Sequence, residues 1–171
     1  MTSYSLGIDL GTSGIRAAVL DEKGAVIAKA RAEYGNIDPE HIRAEAWWQG
    51  VQECLDALTV NMTSLGLDSM NIARIGVDGT SGTMVLVDQN LIPVTRALMY
   101  NSSGFHVEAA MIDRFAPSSH ITRGTGSALA RMMHLQSEDR NKSAAHLLHQ
   151  ADFIAAKLMG QAGWSDENNS L

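Results

Sequence analysis

A chain of 171 residues, 45% hydrophobic and 19% charged, has enough apolar material for one ordinary globular core and does not read as disordered. Its formal net charge of -6, with Lys and Arg scattered along the chain, argues against nucleic acid as a partner, because neutralising a phosphate backbone takes a clustered cationic excess. No apolar run approaches the roughly 20 residues that cross a bilayer, and Met1 to Leu20 has no basic segment ahead of its apolar stretch, so neither a membrane span nor a secretory leader is expected. Cys54 is the single cysteine, which rules out an intramolecular disulfide and fits a reducing, cytoplasmic setting; it reads as a small apolar residue on a helix face rather than a nucleophile.

In chain order, Tyr4 to Asp9, Ile15 to Leu20 and Ala25 to Tyr34 are short apolar runs separated by two glycine-bearing turns, which predicts an antiparallel meander. From about Ala44 to Leu65 the residues Trp47, Val51, Cys54, Leu55, Leu58 and Met62 recur at helical spacing, with Gly66 as the stop. One tryptophan of Trp47-Trp48 is assigned to the core and the other to a partly exposed surface, in preference to a sugar-stacking platform. Ile72 to Val77 and Thr83 to Val87 read as strands on either side of the polar bend Asp78-Gly79-Thr80-Ser81-Gly82. Helices are predicted at about Phe105 to Phe115, closed by Pro117, then near Ser127 to Leu135 and near Ser143 to Met159, the last ended by Gly160 and Gly163. On that last helix His146, His149 and Asp152 would share a face, read as a polar face rather than a metal site. Ser165 or Asp166 could cap a further turn.

Two segments carry chemistry. In Gly7-Ile8-Asp9-Leu10-Gly11-Thr12-Ser13-Gly14-Ile15-Arg16, a strand ending in Asp runs into a Gly and hydroxyl turn and then a second strand. The turn's backbone N–H groups and hydroxyls can wrap phosphate oxygens, with Asp9 holding Mg2+ through water and Arg16 offsetting phosphate charge. It is not a Walker loop, since no Gly-Lys-Ser/Thr follows and the turn leads into a strand. An ordinary glycine-rich hairpin with a capping Asp is the competing reading. In Gly76-Val77-Asp78-Gly79-Thr80-Ser81-Gly82-Thr83 a strand end again presents a carboxylate and hydroxyls beside glycines; small residues let a polar ligand approach the backbone, and Asp78 could accept hydrogen bonds from sugar hydroxyls. The alternative there is a turn with Asp in a local side-chain bond.

Taken together, the Asp-x-Gly-Thr-Ser-x-x-Arg loop, the Val77-to-Thr83 bend, the stretch Asp152 to Gly160 and the terminal Ser165-Asp166-Glu167-Asn168-Asn169 resemble, in that order, the FGGY carbohydrate kinase family over essentially the whole chain. Within the family the bend and Met99-Tyr100-Asn101 look most like the D-ribulokinase or xylulokinase-like subgroup, although glycerol kinases and bacterial xylulokinases carry different residues there. The resemblance implies an α/β fold of the ribonuclease H-like, actin-like ATPase type, a mixed sheet whose N-terminal antiparallel meander is flanked by helices. It implies that residues 1–171 are an N-terminal sugar-kinase domain, truncated, with the rest of that domain and a C-terminal actin-like domain outside the chain.

The same resemblance assigns Asp9, Gly11, Thr12, Ser13 and Arg16 to ATP and its Mg2+, the metal meeting Asp9 through water. Asp78, Thr80, Ser81, Gly82, Asn101 and Asp166 are assigned to the sugar. Ser102 and Ser103 stand where many members have polar and basic residues, which argues against a glycerol-like or xylulose-like contact. The catalytic general base is expected downstream of Leu171. The expected activity is therefore ATP-dependent phosphorylation of a sugar hydroxyl, that of a ketopentose such as D-ribulose or D-xylulose, by the parent protein, with this piece inactive alone. Its expected partners are the small-molecule sugar and the absent C-terminal domain; a homo-oligomer is a possible state, since a piece missing its cover exposes apolar surface. The alternatives are a catalytically dead sugar- or partner-binding module of the same fold and, last, a non-kinase relative of the actin-like group.

Overall fold

The computed structural model describes residues 3–35, 38, 41–167 and 169. The chain divides into two compact units, the first made of Met1–Asp38 and Glu45–Thr80, the second of Pro39–Ala44 and Ser81–Leu171.

In the first unit, strands β1 (Tyr4–Leu10), β2 (Gly14–Leu20) and β3 (Val26–Glu33) form the expected antiparallel meander, and β4 (Ile72–Gly79) joins β1 in parallel, giving the order β3-β2-β1-β4. The mixed sheet follows from chain reach: β4 returns alongside β1 only after the long helix α1 (Ala44–Ser64) has carried the chain back, the crossover that parallel pairing requires. Side chains alternate across β1, so Tyr4, Leu6, Ile8 and Leu10 are buried, as are Ile15, Ala17 and Val19 of β2. The apolar stripe of α1, Trp47, Val51, Cys54, Leu58 and Met62, is buried too. Cys54 Sγ lies 3.9 Å from the Ile15 carbonyl oxygen and Asn61 Nδ2 donates to the Lys29 carbonyl at 2.8 Å, which fixes the helix on this sheet. Burial pushes the Cys54 thiol up, the opposite of what a nucleophile needs. Gly66, at φ 69°, ends the helix as expected, and Trp47 is buried where Trp48 is half-buried.

In the second unit, β5 (Met84–Val87) pairs antiparallel with β6 (His146–His149), and helices α2 (His106–Ile112), α3 (Ala128–Glu138) and α4 (Gln150–Met159) complete it. Met84, Leu86, Leu98, Phe105, Ile112, Ala130 and Leu135 form its core. The strands on either side of the Asp78 bend are therefore not a hairpin: β4 pairs with β1 and β5 with β6. The helix expected over residues 143–159 begins only at Gln150. Leu148 is taken by β5, opposite Val85, and Ala145 N–H donates to the Val87 carbonyl at 2.8 Å. His149 stays extended at φ -70°, ψ 165°, with its N–H donated to Asp152 Oδ2 at 3.4 Å. His146 and His149 thus stand on a strand, and the shared helical face with Asp152 does not exist. Among the described residues no helix is long and apolar enough to cross a membrane.

Acid sensitivity is built into this unit. His134 on α3 places Nδ1 2.9 Å from Glu108 Oε1 on α2 and Nε2 3.3 Å from Glu138 Oε1, which also receives the Arg96 guanidinium at 2.9 Å. Burial alone would raise the Glu108 carboxyl, but the hydrogen bond and charge of His134 hold it below its ordinary value. Burial pushes His149 down; Asp152 and Asp166 oppose this and the Arg131 charge adds to it. A depressed folded-state pKa means that, on acidification, the unfolded chain takes up protons first. For His149 the contribution to stability is complete above about pH 6.5 and is lost as the pH falls through the histidine range, while that of Glu108 is lost in the carboxylate range, near about 4.3. The midpoint of thermal unfolding is expected to drop between pH 7 and pH 5, more shallowly in His149→Gln; a midpoint that holds or rises over that interval would contradict the assignment.

Candidate functional site

Strand register brings the two chemical segments together within the first unit. Asp9 is the antiparallel partner of Arg16 on β2 and the parallel partner of Asp78 on β4. Because Leu10 and Ile8 point into the core, Asp9 points away from it, in one row with Arg16 and Asp78. The next row toward the strand starts is Ala18, Gly7 and Gly76. A side chain built on Gly7 or Gly76 would meet nothing within 4 Å, so these residues leave an open floor. The result is a depression of about 430 Å³ lined by Gly7, Asp9, Arg16, Ala18, Gly76 and Asp78. Arg16 Nη1 donates to Asp9 Oδ2 at 3.1 Å, but both side chains are at least half exposed, so the pair is screened and exchangeable.

The turn above this row is fixed by its backbone. Gly11 N–H donates to the Gly14 carbonyl at 2.9 Å and Tyr34 N–H to the Ser13 carbonyl at 3.3 Å. Gly14 has to be glycine here, since a Cβ would fall 2.4 Å from the Ala32 carbonyl oxygen. Thr12 and Ser13 are exposed, and neither hydroxyl is bonded to a described residue, which leaves both for phosphate oxygens. Sequence reasoning passed over Tyr34, whose phenol is raised well above its ordinary value by burial and then by the charge of Asp9. An exposed carboxylate at the strand end, held only by the screened Arg16 pair, with two exposed hydroxyls and that guanidinium beside it, fits a nucleotide's phosphates and a water-bound Mg2+.

The remaining predicted residues divide between the units. Asp78 Oδ1 accepts the N–H of Gly79 at 2.9 Å, the local side-chain bond of the turn reading, and that leaves its other oxygen free of this bond. In the second unit Ser81 Oγ donates to Asn169 Oδ1 at 3.2 Å, and Asn169 gives its N–H to Asp166 Oδ1 at 3.0 Å and its side-chain amide to Asp166 Oδ2 at 2.7 Å. Ser81 and Asp166, far apart in sequence, are thereby linked through one amide. Ser165 Oγ donates to Asp152 Oδ2 at 2.9 Å; Asn168 lies outside the described residues. Asn101 is exposed in a turn closed by Ser102 N–H on the Met99 carbonyl at 3.0 Å. Gly82 has φ 78°.

Two buried residues beside Gly82 were not assigned to the site from the sequence. Thr83 Oγ1 accepts the Tyr100 N–H at 3.1 Å, and Arg131 on α3 donates through Nη1 to the carbonyls of Tyr100 and Gly126. The available signal for Arg131 was a cation four residues before Leu135 on the buried stripe of α3.

Comparison with known proteins places this geometry. The fold is that of solved sugar kinases: a xylulose kinase from Brucella ovis superposes with a TM-score of 0.74 at 20% identity, over 90% of this chain and 34% of that one. Plasmodium falciparum glycerol kinase with ADP gives a TM-score of 0.75 at 12% identity, over 94% and 35% respectively. The architecture is thus the actin-like ATPase fold. The model of the N-terminal domain of the FGGY family of carbohydrate kinases matches residues 4–167, and the chain belongs to that family. Xylulose kinase from Lactococcus lactis is 33% identical over 103 residues, 58% of this chain and 20% of the relative. The chain spans a third or less of that relative and about a third of the two solved structures.

Proposed function

We propose that the protein to which this chain belongs transfers the terminal phosphoryl group of ATP to a hydroxyl of a ketopentose such as D-ribulose or D-xylulose, and that residues 1–171 form its N-terminal domain. The observation that carries this reading is the parallel register of β1 and β4, which sets Asp9 and Asp78 side by side at one end of the sheet. Bound ATP and Mg2+ would supply the phosphoryl group and offset its charge. Thr12 and Ser13 would donate to phosphate oxygens, Asp9 would hold the metal through water, and Arg16 would offset the phosphate charge. Asp78, Thr80, Ser81, Gly82, Asn101 and Asp166 hold the sugar by accepting from, or donating to, its hydroxyls. The general base lies downstream of Leu171, so this piece alone lacks the group that takes the hydroxyl proton, and positioning by one wall of a cleft does not replace it. The match to a xylulose kinase supports a sugar acceptor.

The test is release of ADP by the longest reading frame containing this sequence, supplied in turn with D-ribulose, D-xylulose, L-ribulose and glycerol, with the 171-residue chain assayed in parallel. Turnover on a ketopentose by the long form and none by the short one is expected. Turnover by the short chain would place the base within it; silence from both, with sugar binding retained, would mean a binding module.

A further inference from the structure

We infer that Arg131 is a ligand-binding residue of the sugar site, presenting one edge of its guanidinium over Gly82 to a carbonyl or carboxylate oxygen of the bound sugar. The inference rests on the reading of Ser81 and Gly82 as the sugar-facing bend. Arg131 is 5% exposed, and among the described residues it has no carboxylate partner. Its Nη1 is held by two backbone carbonyls, of Tyr100 at 2.8 Å and of Gly126, while Nε is buried without a hydrogen bond. A buried charge without an anion is costly, and structures normally pair it. Arginine stays cationic under almost any condition, even though burial lowers its pKa here, so the charge cannot be shed by losing a proton.

The position of the unfilled edge is what points to a ligand. A Cβ on Gly82 would lie 3.0 Å from Arg131 Nη2 and 3.4 Å from Tyr100 Cβ, so the glycine keeps clear the space against the guanidinium. The same corner is strapped from a second side by Thr83, which is fully buried, accepts the Tyr100 N–H and receives the Gln150 N–H on its carbonyl at 2.9 Å. His149, next to this corner, feels the Arg131 charge. A rigid, desolvated cation beside a vacant Cβ position selects an oxygen bearing much negative charge over a plain hydroxyl. The ligand class is therefore a ketose or an aldonate, in preference to a simple polyol.

Calorimetric titration of the 171-residue chain with D-ribulose, D-gluconate and ribitol tests this, because all three carry several hydroxyls and differ in the oxygen offered, as a ketone, a carboxylate or hydroxyls alone, D-gluconate being also one carbon longer. Wild-type chain is expected to bind D-ribulose or D-gluconate and to bind ribitol roughly 10- to 100-fold more weakly, the range for one hydrogen bond to a charged donor. Whichever of the first two binds names the source of the oxygen. Arg131→Met should abolish the preference, and Arg131→Lys, which retains charge and fold if the methionine variant unfolds, should restore part of it. In isotope-labelled chain the Arg131 Nε–H resonance should shift with the preferred ligand and not with ribitol. Equal affinity for all three, an unchanged preference in Arg131→Lys and Arg131→Met, or no binding by wild type at millimolar concentration would each overturn the inference. ADP release by the long form with unchanged sugar KM in Arg131→Lys would sink it while leaving the kinase reading intact; ligand preference through Arg131 without ADP release would do the reverse.

Discussion

Trp47→Ala is expected to destabilise the four-stranded unit by about 3–5 kcal/mol, the range for emptying a large aromatic site in a core. Trp47 is 1% exposed and is the largest fully buried side chain among the described residues. It begins the stripe that Val51, Cys54, Leu58 and Met62 continue, and that stripe is tied to the sheet at Ile15 and Lys29, so the surroundings have little freedom to collapse into the space. Val60, on the same helix and 71% exposed, is the control: Val60→Ala should change stability by no more than about 0.5 kcal/mol. Chemical denaturation of both variants checks the pair. Similar small losses from the two would mean that α1 does not seal the sheet as described.

Helix and sheet were legible in the sequence to different depths. The meander and α1 could be read because each repeats one signal: Gly-rich turns between alternating strands, and a long helical stripe ending at Gly66. The late helix was misread at its start because His146 to His149 is too short to show a period; its strand character comes from β5, which lies about 60 residues away and takes Leu148 opposite Val85. No local pattern reports such a pairing.

The candidate site divides in the same way. The two glycine and hydroxyl segments were visible as residues, but that Asp9 and Asp78 stand next to each other depends on a parallel register set by the α1 crossover. Arg131 was invisible as a site residue, since a cation on a helix usually marks a solvated face; only burial and its missing partner distinguish it. The link between Ser81 and Asp166 through Asn169 was likewise a matter of tertiary folding.

Asp9→Asn is expected to lower kcat of the long form by roughly 100- to 1000-fold, the loss usual when one element of charge stabilisation is removed from a preorganised site. The substitution keeps size and hydrogen-bonding shape, and Asp9 is half exposed, so the fold should not suffer. What changes is the carboxylate charge that, on the proposed reading, would order the metal's water, together with the hydrogen-bond partner of Arg16. The affected constant is therefore turnover and the apparent affinity for the nucleotide, with the sugar's KM little changed.

Asp78→Asn completes the comparison and gives the most direct test of the central claim, that adjacent strand ends serve phosphate and sugar separately. The measurement is kcat and both KM values for the wild type, Asp9→Asn and Asp78→Asn in one assay of ADP release. The register predicts that Asp78→Asn raises the sugar's KM with the nucleotide's KM held, while Asp9→Asn does the opposite. Equal effects of the two substitutions on both substrates, or none from either, would contradict it.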